Sequence, residues 1–462
     1  MTNEKLLGVR PGTGVIVNGK AAKSQPLVSK DEFSDVRAHI EFVIPKGSNS
    51  GVFFQGQYEL QIYDSWGVEK GDYAGIECGG IYQQWDEGRM PKGYDGISPK
   101  VNASRPAGQW QQFDVIFRGP RFDATGRKIA NACFVKVWLN GTLIHDNVEL
   151  SGPTRGSMHP DDRAAGPILL QGDHGPVAYR NIWIIPLDLD KMGLPNEFFA
   201  MDTATIDEHH RTAKEQVEML KELGYAGIGY WERTPSKGPQ GLVKMLSELS
   251  DAGLKPFPTY FTVSIDDPND KSLPLIAESV RAMANRDAVI WLAMTSKSIG
   301  NSSQAGDERV VELVSGIADM AQQSGVRIAL YPHDRYWLEH MDDAIRIAKK
   351  ANRRNVGVTF NLYHWLRAEK GKNLDSLVAK AMPYLFAVTI NGSSLEGSIE
   401  TLDKGAFDVC AFLRTLKSAG YTGPIGLQGY GIPGDVYENL RRSMEAWKKC
   451  SQQLAIEDAG KL

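Results

Sequence analysis

The sequence predicts two domains of different fold class, an all-β sandwich in residues 1–187 and a (β/α)8 TIM barrel in residues 198–462, joined by a linker at 188–197. Three observations support this prediction. The chain has 462 residues, which is long for one domain because domains average about 150 residues. The first part contains short β-type runs separated by Gly, Pro, Asn and Asp. The second part alternates strand-like and helix-like segments, as a barrel does.

The β-type runs of the first part often alternate between apolar and polar residues, which is typical of strands with one face on a core. Asn140-Gly141 lies between two such runs and predicts a hairpin, because a type I′ turn needs positive φ at both central residues. No convincing amphipathic helix precedes residue 205. The main predicted strands are 36–43, 51–55, 58–63, 113–117, 134–139 and 181–185. This pattern indicates a sandwich or jelly roll.

The second part contains about eight strand–helix units, and a closed barrel explains their number better than an open sheet. No G-x-G-x-x-G follows a strand, which argues against a dinucleotide site. The predicted strands are 198–202, 226–231, 255–263, 289–294, 327–331, 356–361, 386–391 and 425–428. The predicted helices are 212–223, 241–252, 272–284, 308–323, 341–351, 374–382 and 407–419.

Composition excludes several classes of function. A net charge of −4 without a concentrated basic face argues against nucleic acid as a partner. No apolar run approaches the roughly 20 residues of a membrane span. The first residues lack the apolar stretch of a secretory signal, so we expect a cytoplasmic protein unless a signal has been removed, in which case it is periplasmic or extracellular. The oligomeric state is left open.

The four cysteines, Cys78, Cys133, Cys410 and Cys450, are far apart and form no C-x-x-C pair. This spacing indicates neither a zinc knuckle nor a dense disulfide framework. We therefore expect four buried, reduced thiols.

Two polar segments of the first part are candidates for sugar binding. In the run 58–63, period-two geometry places Glu59, Gln61 and Tyr63 on one face of a strand. Carboxylate and amide groups bind hydroxyls, while an aromatic ring covers the apolar face of a pyranose. The second segment, 169–181, brings Gln171, Asp173, His174 and Arg180 to one tight turn between strands.

Five motifs in this order resemble the 3-keto-disaccharide hydrolase or lyase family, formerly a domain of unknown function, over about residues 8–186. They are Ser48-Asn-Ser-Gly51, Tyr58-Glu-Leu-Gln61 with Asp64-Ser65, Gly108-Gln-Trp110, Asn140-Gly141, and Gln171-Gly-Asp-His174 with Tyr179-Arg-Asn-Ile182. The resemblance implies a concanavalin-like jelly roll. It also implies cleavage of 3-keto-glycosides, in which a ketone at C3 acidifies the C2 proton so that the C1 substituent leaves.

Such a site needs a base, an acid for the leaving oxygen and a stabiliser for the enolate. We predict Glu59 or His174 as base or acid and Arg180 as stabiliser. The predicted substrate-binding residues are Asn49, Gln61, Tyr63, Asp64, Gln171 and Asp173. Structural roles remain open for each catalytic candidate: a solvated strand residue for Glu59, a turn brace for His174, and an ion pair with Asp64 or Asp173 for Arg180.

The second part resembles the xylose-isomerase-like sugar isomerases and epimerases over about residues 197–450, mainly in strand order and strand-end positions. That family binds a divalent metal at the ends of strands five to eight, positions that are Tyr331, Asn361, Asn391 and Gln428 here. Four neutral groups compensate a dication poorly, so no metal is expected at these positions. No cofactor is expected, but a divalent metal at a different site, built from His333 and His364, stays open as an alternative. The predicted barrel pocket consists of Glu232, Tyr260, Tyr331, His333, Asn361, His364, Asn391 and Gln428.

Three functions remain as hypotheses, each with a carbohydrate partner. The first is an enzyme that cleaves 3-keto-glycosides in the sandwich while the barrel binds or processes a sugar. The second is an isomerase or epimerase in the barrel with a glycan-binding sandwich. The third is a glycan-binding protein without catalysis, because both folds host many functions.

Overall fold

The computed structural model describes residues 7–8, 14–18, 24–69, 71–231 and 238–462. The chain forms two compact units, Met1–Gly193 with Gln452–Leu462, and Leu194–Ser451. Residues 452–462, predicted to belong to the barrel together with the rest of 198–462, group with the sandwich instead. Ala455 and Ala459 from this segment pack against Ile116, Cys133 and Val135 of the first unit, and this packing explains the difference.

The first unit is built from antiparallel strands, the short helix α1 (Leu189–Met192) and the end of the last helix of the chain. The strands are β1 (Leu7–Gly8), β2 (Ile16–Asn18), β3 (Leu27–Phe33), β4 (Asp35–Val43), β5 (Asn49–Phe54), β6 (Tyr58–Tyr63), β7 (Gln84–Trp85), β8 (Gly93–Tyr94), β9 (Gln111–Arg118), β10 (Arg121–Phe122), β11 (Lys128–Ala130), β12 (Ala132–Leu139), β13 (Thr142–Leu150), β14 (Gly166–Leu170) and β15 (Val177–Leu187).

Two sheets form the sandwich. One has the order β1-β2-β15-β4-β9-β12-β13 and the other the order β3-β14-β5-β6, while β7-β8 and β10-β11 form small ribbons. A shared hydrophobic core takes side chains from both sheets, including Phe42, Phe54, Phe117 and Phe134. The predicted all-β sandwich is therefore confirmed.

The period-two prediction for β6 agrees with the side-chain placement. Leu60 and Ile62 are fully buried in the core, so Glu59 and Gln61 point to the opposite face of the four-stranded sheet. The predicted hairpin also forms, with Leu139 paired to Thr142. Asn140 and Gly141 have φ values of 54° and 82°, as a type I′ turn requires.

The second unit is a closed barrel of eight parallel strands, as predicted. Its strands are β16 (Phe198–Met201), β17 (Gly227–Trp231), β18 (Lys255–Ser264), β19 (Val289–Thr295), β20 (Arg327–Leu330), β21 (Val356–Asn361), β22 (Leu385–Ile390) and β23 (Ile425–Leu427). Its helices are α2 (Ala213–Leu223), α3 (Gly238–Ala252), α4 (Ser272–Ala282), α5 (Asp307–Gln322), α6 (Met341–Ala351), α7 (Leu362–Glu369), α8 (Leu374–Ala381), α9 (Val409–Ser418) and α10 (Val436–Lys461).

Local sequence explains where these elements begin and how they pack. Thr212 and Glu215 form a capping box at the start of α2, and Gly224 ends that helix in the left-handed region. Inside the barrel, the Phe199 ring stacks on Phe257. A side chain at Gly426 would overlap the Phe199 ring, so this glycine makes room for a large aromatic residue in the barrel core.

The expectation of four reduced thiols is wrong for one pair. Cys410 of α9 and Cys450 of α10 form a disulfide, because the two helices bring their Cα atoms to 5.6 Å, which is within bridging range. Cys78 and Cys133 are buried and free. In the described part of the chain, no helix has the length and apolar character that crossing a membrane requires.

One buried ion pair fixes the start of β4. The Asp35 carboxylate accepts two hydrogen bonds from the Arg121 guanidinium, at 2.8 and 2.7 Å, and is almost fully buried. It also accepts hydrogen bonds from the backbone N–H groups of Gly119 and Leu189. A single carboxylate thus joins β4, the loop before β10 and the start of α1.

We expect Asp35→Ala to destabilise the sandwich by about 2–4 kcal/mol, because it leaves the backbone N–H groups of Gly119 and Leu189 without their acceptor. It also removes two hydrogen bonds from the Arg121 guanidinium, which keeps its ion pair with Asp190. Chemical denaturation of the full chain measures this loss. The control is Asp190→Ala, which removes the exposed second partner of Arg121 and is expected to cost less than about 1 kcal/mol. Equal costs for the two variants would show that Asp35 does not have this role.

Candidate active site

A cleft of about 270 Å³ lies over the outer face of the four-stranded sheet. Strands β5, β6 and β14 supply its floor, and the segments around Tyr82, Arg155 and His174 supply its rim. The lining residues are Pro26, Asn49, Phe53, Glu59, Gln61, Tyr82, Arg155, Gly156, Leu169, Gln171, Asp173 and His174. The cleft therefore brings together Glu59 and His174, which are far apart in the sequence.

Glu59 is the buried acid of this cleft, with only 3% of its surface exposed. A side chain on Gly51 of the neighbouring strand would overlap the Glu59 carboxyl group, so the carboxyl lies directly against the β5 backbone. Burial raises the pKa of Glu59 well above its usual range, and the negative charge of Asp173 raises it further. Both effects favour the protonated, neutral carboxylic acid.

Three amide groups that line the same cleft have acceptor oxygens without a partner. The side-chain oxygens of Asn49, Gln61 and Gln171 are buried and lack a hydrogen-bond partner among the described residues. Since buried polar atoms in proteins are nearly always hydrogen-bonded, such a cluster indicates a site that a polar ligand completes. Sugar hydroxyls are suitable donors for these oxygens.

Asp173 and His174 form a second titratable group at the rim. The Asp173 carboxylate accepts a hydrogen bond from His174 Nδ1 at 2.8 Å, and both side chains are exposed. A carboxylate at Nδ1 places the proton there and leaves Nε2 of a neutral imidazole as an acceptor. The pair thus has the arrangement of an oriented base.

The structure contradicts the expected role of Arg180. Arg180 lies on β15 in the seven-stranded sheet, where its Nε donates to the Glu41 carboxylate at 2.6 Å. Its guanidinium also lies over the Trp110 ring. Because β15 belongs to the other sheet, Arg180 does not line the cleft, and its ion-pair partner is Glu41 instead of Asp64 or Asp173.

Tyr63 and Asp64 do not line the cleft either. Asp64 accepts a hydrogen bond from the Gly47 N–H at 2.8 Å and so holds the turn before β5. The cation of the cleft is Arg155, an exposed residue whose guanidinium lies 3.8 Å from the centre of the Trp85 ring. Sequence reasoning missed Arg155 because it follows no motif and lies in the long connection between β13 and β14.

The barrel contains its own cavity, of about 330 Å³. Aromatic side chains form most of its wall. Five of the eight residues proposed for the barrel pocket line it, namely Tyr260, Tyr331, His333, His364 and Gln428. The remaining lining residues are Met201, Thr203, Trp231, Thr262, Tyr336, Tyr363, Ile399 and Tyr430. Glu232 lies outside the described residues.

The side chains at the four metal-ligand positions of the barrel family do not fit a divalent metal. Asn361 Nδ2 donates to the Tyr331 hydroxyl at 2.5 Å and to Thr389 Oγ1 at 2.7 Å, while Asn361 Oδ1 caps α7. Asn361 and Asn391 are buried and do not line the cavity. The described residues contain no group of three or more His, Cys, Asp or Glu side chains arranged for a metal.

Comparisons with known proteins agree with both predicted resemblances. A 3-keto-alpha-glucoside-1,2-lyase-like domain model matches residues 5–185. A xylose isomerase-like TIM barrel model matches residues 217–450. A search of curated proteins found no match.

Among solved structures, a putative glycosyl hydrolase from Parabacteroides distasonis is 29% identical, with 39% of this chain and 74% of that chain covered and a TM-score of 0.31. A 3-keto-D-glucoside 4-epimerase from E. coli is 17% identical, with 55% and 99% covered and a TM-score of 0.45. A D-allulose 3-epimerase from Methylomonas sp. is 16% identical, with 55% and 98% covered and a TM-score of 0.46.

We expect Glu59→Gln to raise the melting temperature of the sandwich at pH 7.5. The pKa of Glu59 is higher in the folded state than in the unfolded state, so its contribution to stability is present at low pH and is lost as pH rises through the folded pKa. A glutamine does not ionise, so the variant does not lose this stability as the pH rises. A gain of a few degrees is expected, since about 1 kcal/mol shifts the melting temperature of a domain of this size by roughly 2–4 °C.

Calorimetry at pH 4 and pH 7.5 measures the effect, and the gain should be smaller at pH 4. The control is Glu32→Gln on β3, because Glu32 is exposed and its replacement should leave the melting temperature unchanged at both values. A Glu59→Gln variant that is less stable than wild type at pH 7.5 would contradict the assignment of a neutral, unpaired acid.

Proposed function

We propose that this chain, which belongs to the xylose isomerase-like TIM barrel family and also contains a 3-keto-alpha-glucoside-1,2-lyase-like domain, cleaves 3-keto-glycosides by β-elimination in the sandwich cleft. Both families are carbohydrate-related, and the cleft supplies the chemical groups that such an elimination needs. Glu59 is the proposed general acid and His174 the proposed base.

The burial of Glu59 is the observation on which this proposal depends. A buried carboxyl group without a cationic partner costs stability unless it is neutral. Burial and the charge of Asp173 both raise the pKa of Glu59, so the group holds a proton at a pH where an ordinary glutamate has lost it. A proton held in this way is available for a leaving oxygen.

The proposed reaction begins at the rim of the cleft. His174 Nε2 accepts the C2 proton of the substrate, and the electron pair of that C–H bond forms the enolate with the C3 ketone. Asp173 stabilises the resulting imidazolium through the Nδ1 hydrogen bond. The enolate then forms the C1–C2 double bond as the C1–O bond breaks, and Glu59 gives its proton to the departing oxygen. The products are an alcohol and a 1,2-unsaturated 3-ketone, to which water can add.

Arg155 is the proposed stabiliser of the enolate, in place of Arg180. It is a guanidinium at the rim of the cleft, and a fixed positive charge favours the developing oxyanion over the neutral ketone. The amides of Asn49, Gln61 and Gln171 would hold the sugar hydroxyls through their unpaired oxygens. These contacts position the substrate and do not enter the chemical step.

The roles of Glu59 and His174 can be separated with two substrates that differ in leaving group. Methyl 3-keto-α-glucoside has a poor leaving group that needs a proton, whereas 4-nitrophenyl 3-keto-α-glucoside releases a stable phenolate. Glu59→Gln should lower kcat/KM by about 10²–10⁴-fold on the methyl glycoside and by less than about tenfold on the nitrophenyl glycoside. His174→Asn should lower both by about 10²–10⁴-fold.

Mass spectrometry of the unsaturated ketone measures both reactions, with Glu32→Gln as the control that retains wild-type rates. Equal losses on the two substrates in Glu59→Gln would exclude Glu59 as the acid. The absence of turnover of either substrate by the wild-type chain would refute the proposed function.

A further inference from the structure

Two histidines stand side by side in the barrel cavity. His333 follows β20 and His364 lies in the first turn of α7, directly after β21. Their ring centres are 3.8 Å apart, and the other face of His333 stacks on Tyr336, also at 3.8 Å. Both imidazoles line the cavity. This arrangement lies in the second unit and has no part in the cleft chemistry proposed above.

Two backbone groups of Asp334, its carbonyl oxygen and its N–H, fix the protonation of the two rings. The carbonyl oxygen of Asp334 accepts a hydrogen bond from His333 Nδ1 at 2.8 Å, which places the proton of a neutral His333 on Nδ1. The N–H of Asp334 donates to His364 Nδ1 at 3.3 Å, which places the proton of a neutral His364 on Nε2. His333 therefore presents a bare Nε2 acceptor, and His364 presents an Nε2–H donor.

Several contacts hold the backbone of Asp334 and both rings in place. The Asp334 carboxylate accepts a hydrogen bond from Arg367 Nε at 2.8 Å, which ties the loop to α7. Asn361 Oδ1 accepts the backbone N–H of His364, which sets the start of that helix. The opposite tautomers of His333 and His364 therefore follow from the backbone of Asp334 and from the hydrogen bonds that hold it and α7 in place.

The surroundings keep both rings neutral. Burial lowers the pKa of His333. Burial also lowers the pKa of His364 well below its usual range, and the neighbouring His333 and Arg367 lower it further. The other titratable groups that face the pair are Asp334, Tyr331, Tyr336 and Tyr363. A neutral donor and a neutral acceptor are therefore the working states at physiological pH.

We propose that the His333–His364 pair is a metal-independent acid–base site that shifts a proton between carbon and oxygen of a carbonyl sugar. His333 Nε2 takes the proton from the carbon next to the carbonyl, and the C–H electron pair forms a C=C bond as the carbonyl oxygen takes the proton from His364 Nε2. The product is an enediol. The reverse transfers return one proton to carbon and one to His364, so atoms and electrons balance without an oxidant or reductant.

The walls of the cavity suit such a substrate. Trp231, Tyr260 and Tyr430 offer aromatic faces, while Thr203, Thr262 and Gln428 offer polar groups for hydroxyls. The cavity volume of about 330 Å³ lies within the range of small-molecule sites. The pair also lies at the carboxyl ends of strands five and six, where barrel enzymes place their reactive groups.

The tautomers are tested directly by nitrogen NMR of the full chain labelled with ¹⁵N-histidine, with His333→Asn and His364→Asn used for assignment. We expect His333 to be protonated at Nδ1 only and His364 at Nε2 only at pH 7.5. An imidazolium at either position, or the same tautomer at both, would overturn the proposal.

The activity is tested in D₂O with Glu59→Gln/His174→Asn, in which the cleft is disabled, after treatment with EDTA. The probes are 3-keto-D-glucose, D-fructose and D-xylose, and proton NMR follows deuterium entering the carbon next to the carbonyl. We expect exchange with at least one probe and its loss by about 10²–10⁴-fold in His333→Asn and in His364→Asn. The control is His209→Asn, because His209 is largely exposed and does not line the cavity.

Circular dichroism and melting temperature establish that each variant is folded. Three results would each refute this inference. The first is exchange at the enzyme-free rate with all three probes, and the second is exchange that disappears with EDTA. The third is exchange that persists in the folded His333→Asn variant. Each of these results concerns the barrel alone, so it leaves the proposed cleavage in the sandwich unaffected.

Discussion

The functional account depends on one physical constraint, the burial of an ionisable carboxyl group that has no ion-pair partner among the described residues. Glu59 lies against the backbone of β5, and Gly51 is the residue whose missing side chain gives it room. Low exposure and the nearby charge of Asp173 both oppose ionisation. A glutamine at this position cannot ionise and would avoid this loss of stability. We therefore attribute the carboxyl group at this position to the proposed chemistry and not to the stability of the fold.

The two proposed sites, one in each unit, both combine a proton donor with a proton acceptor, but they use different side chains. In the sandwich, the proposed acid Glu59 is buried, and the proposed base His174 is hydrogen-bonded to Asp173 in the same cleft. In the barrel, the carbonyl oxygen and the N–H of Asp334 give two adjacent imidazoles complementary protonation. In both sites, burial and fixed hydrogen bonds set the proton positions. Where the barrel family has a metal, this chain has an interlocked network of Tyr331, Asn361 and Thr389.

The fold was largely predictable from the sequence, because alternation with period two and the repeated strand–helix pattern are local signals. The faces of β6 were predictable for the same reason. The position of Arg180 was not predictable from the sequence, where it lies close to His174. In the structure, Arg180 belongs to β15, which pairs with β4 in the other sheet and places Arg180 opposite Glu41. Arg155 gave no signal because its loop has no periodicity. The Cys410–Cys450 disulfide depends on the packing of α9 and α10, which spacing alone does not reveal.

The most direct measurement of the central claim is the protonation state of Glu59 itself, seen by infrared difference spectroscopy between wild type and Glu59→Gln across a pH titration. The account predicts a carboxylic acid C=O band that belongs to Glu59 and persists at neutral pH. A spectrum in which Glu59 appears as a carboxylate at pH 7, with its proton lost at the ordinary pKa of glutamate, would contradict it.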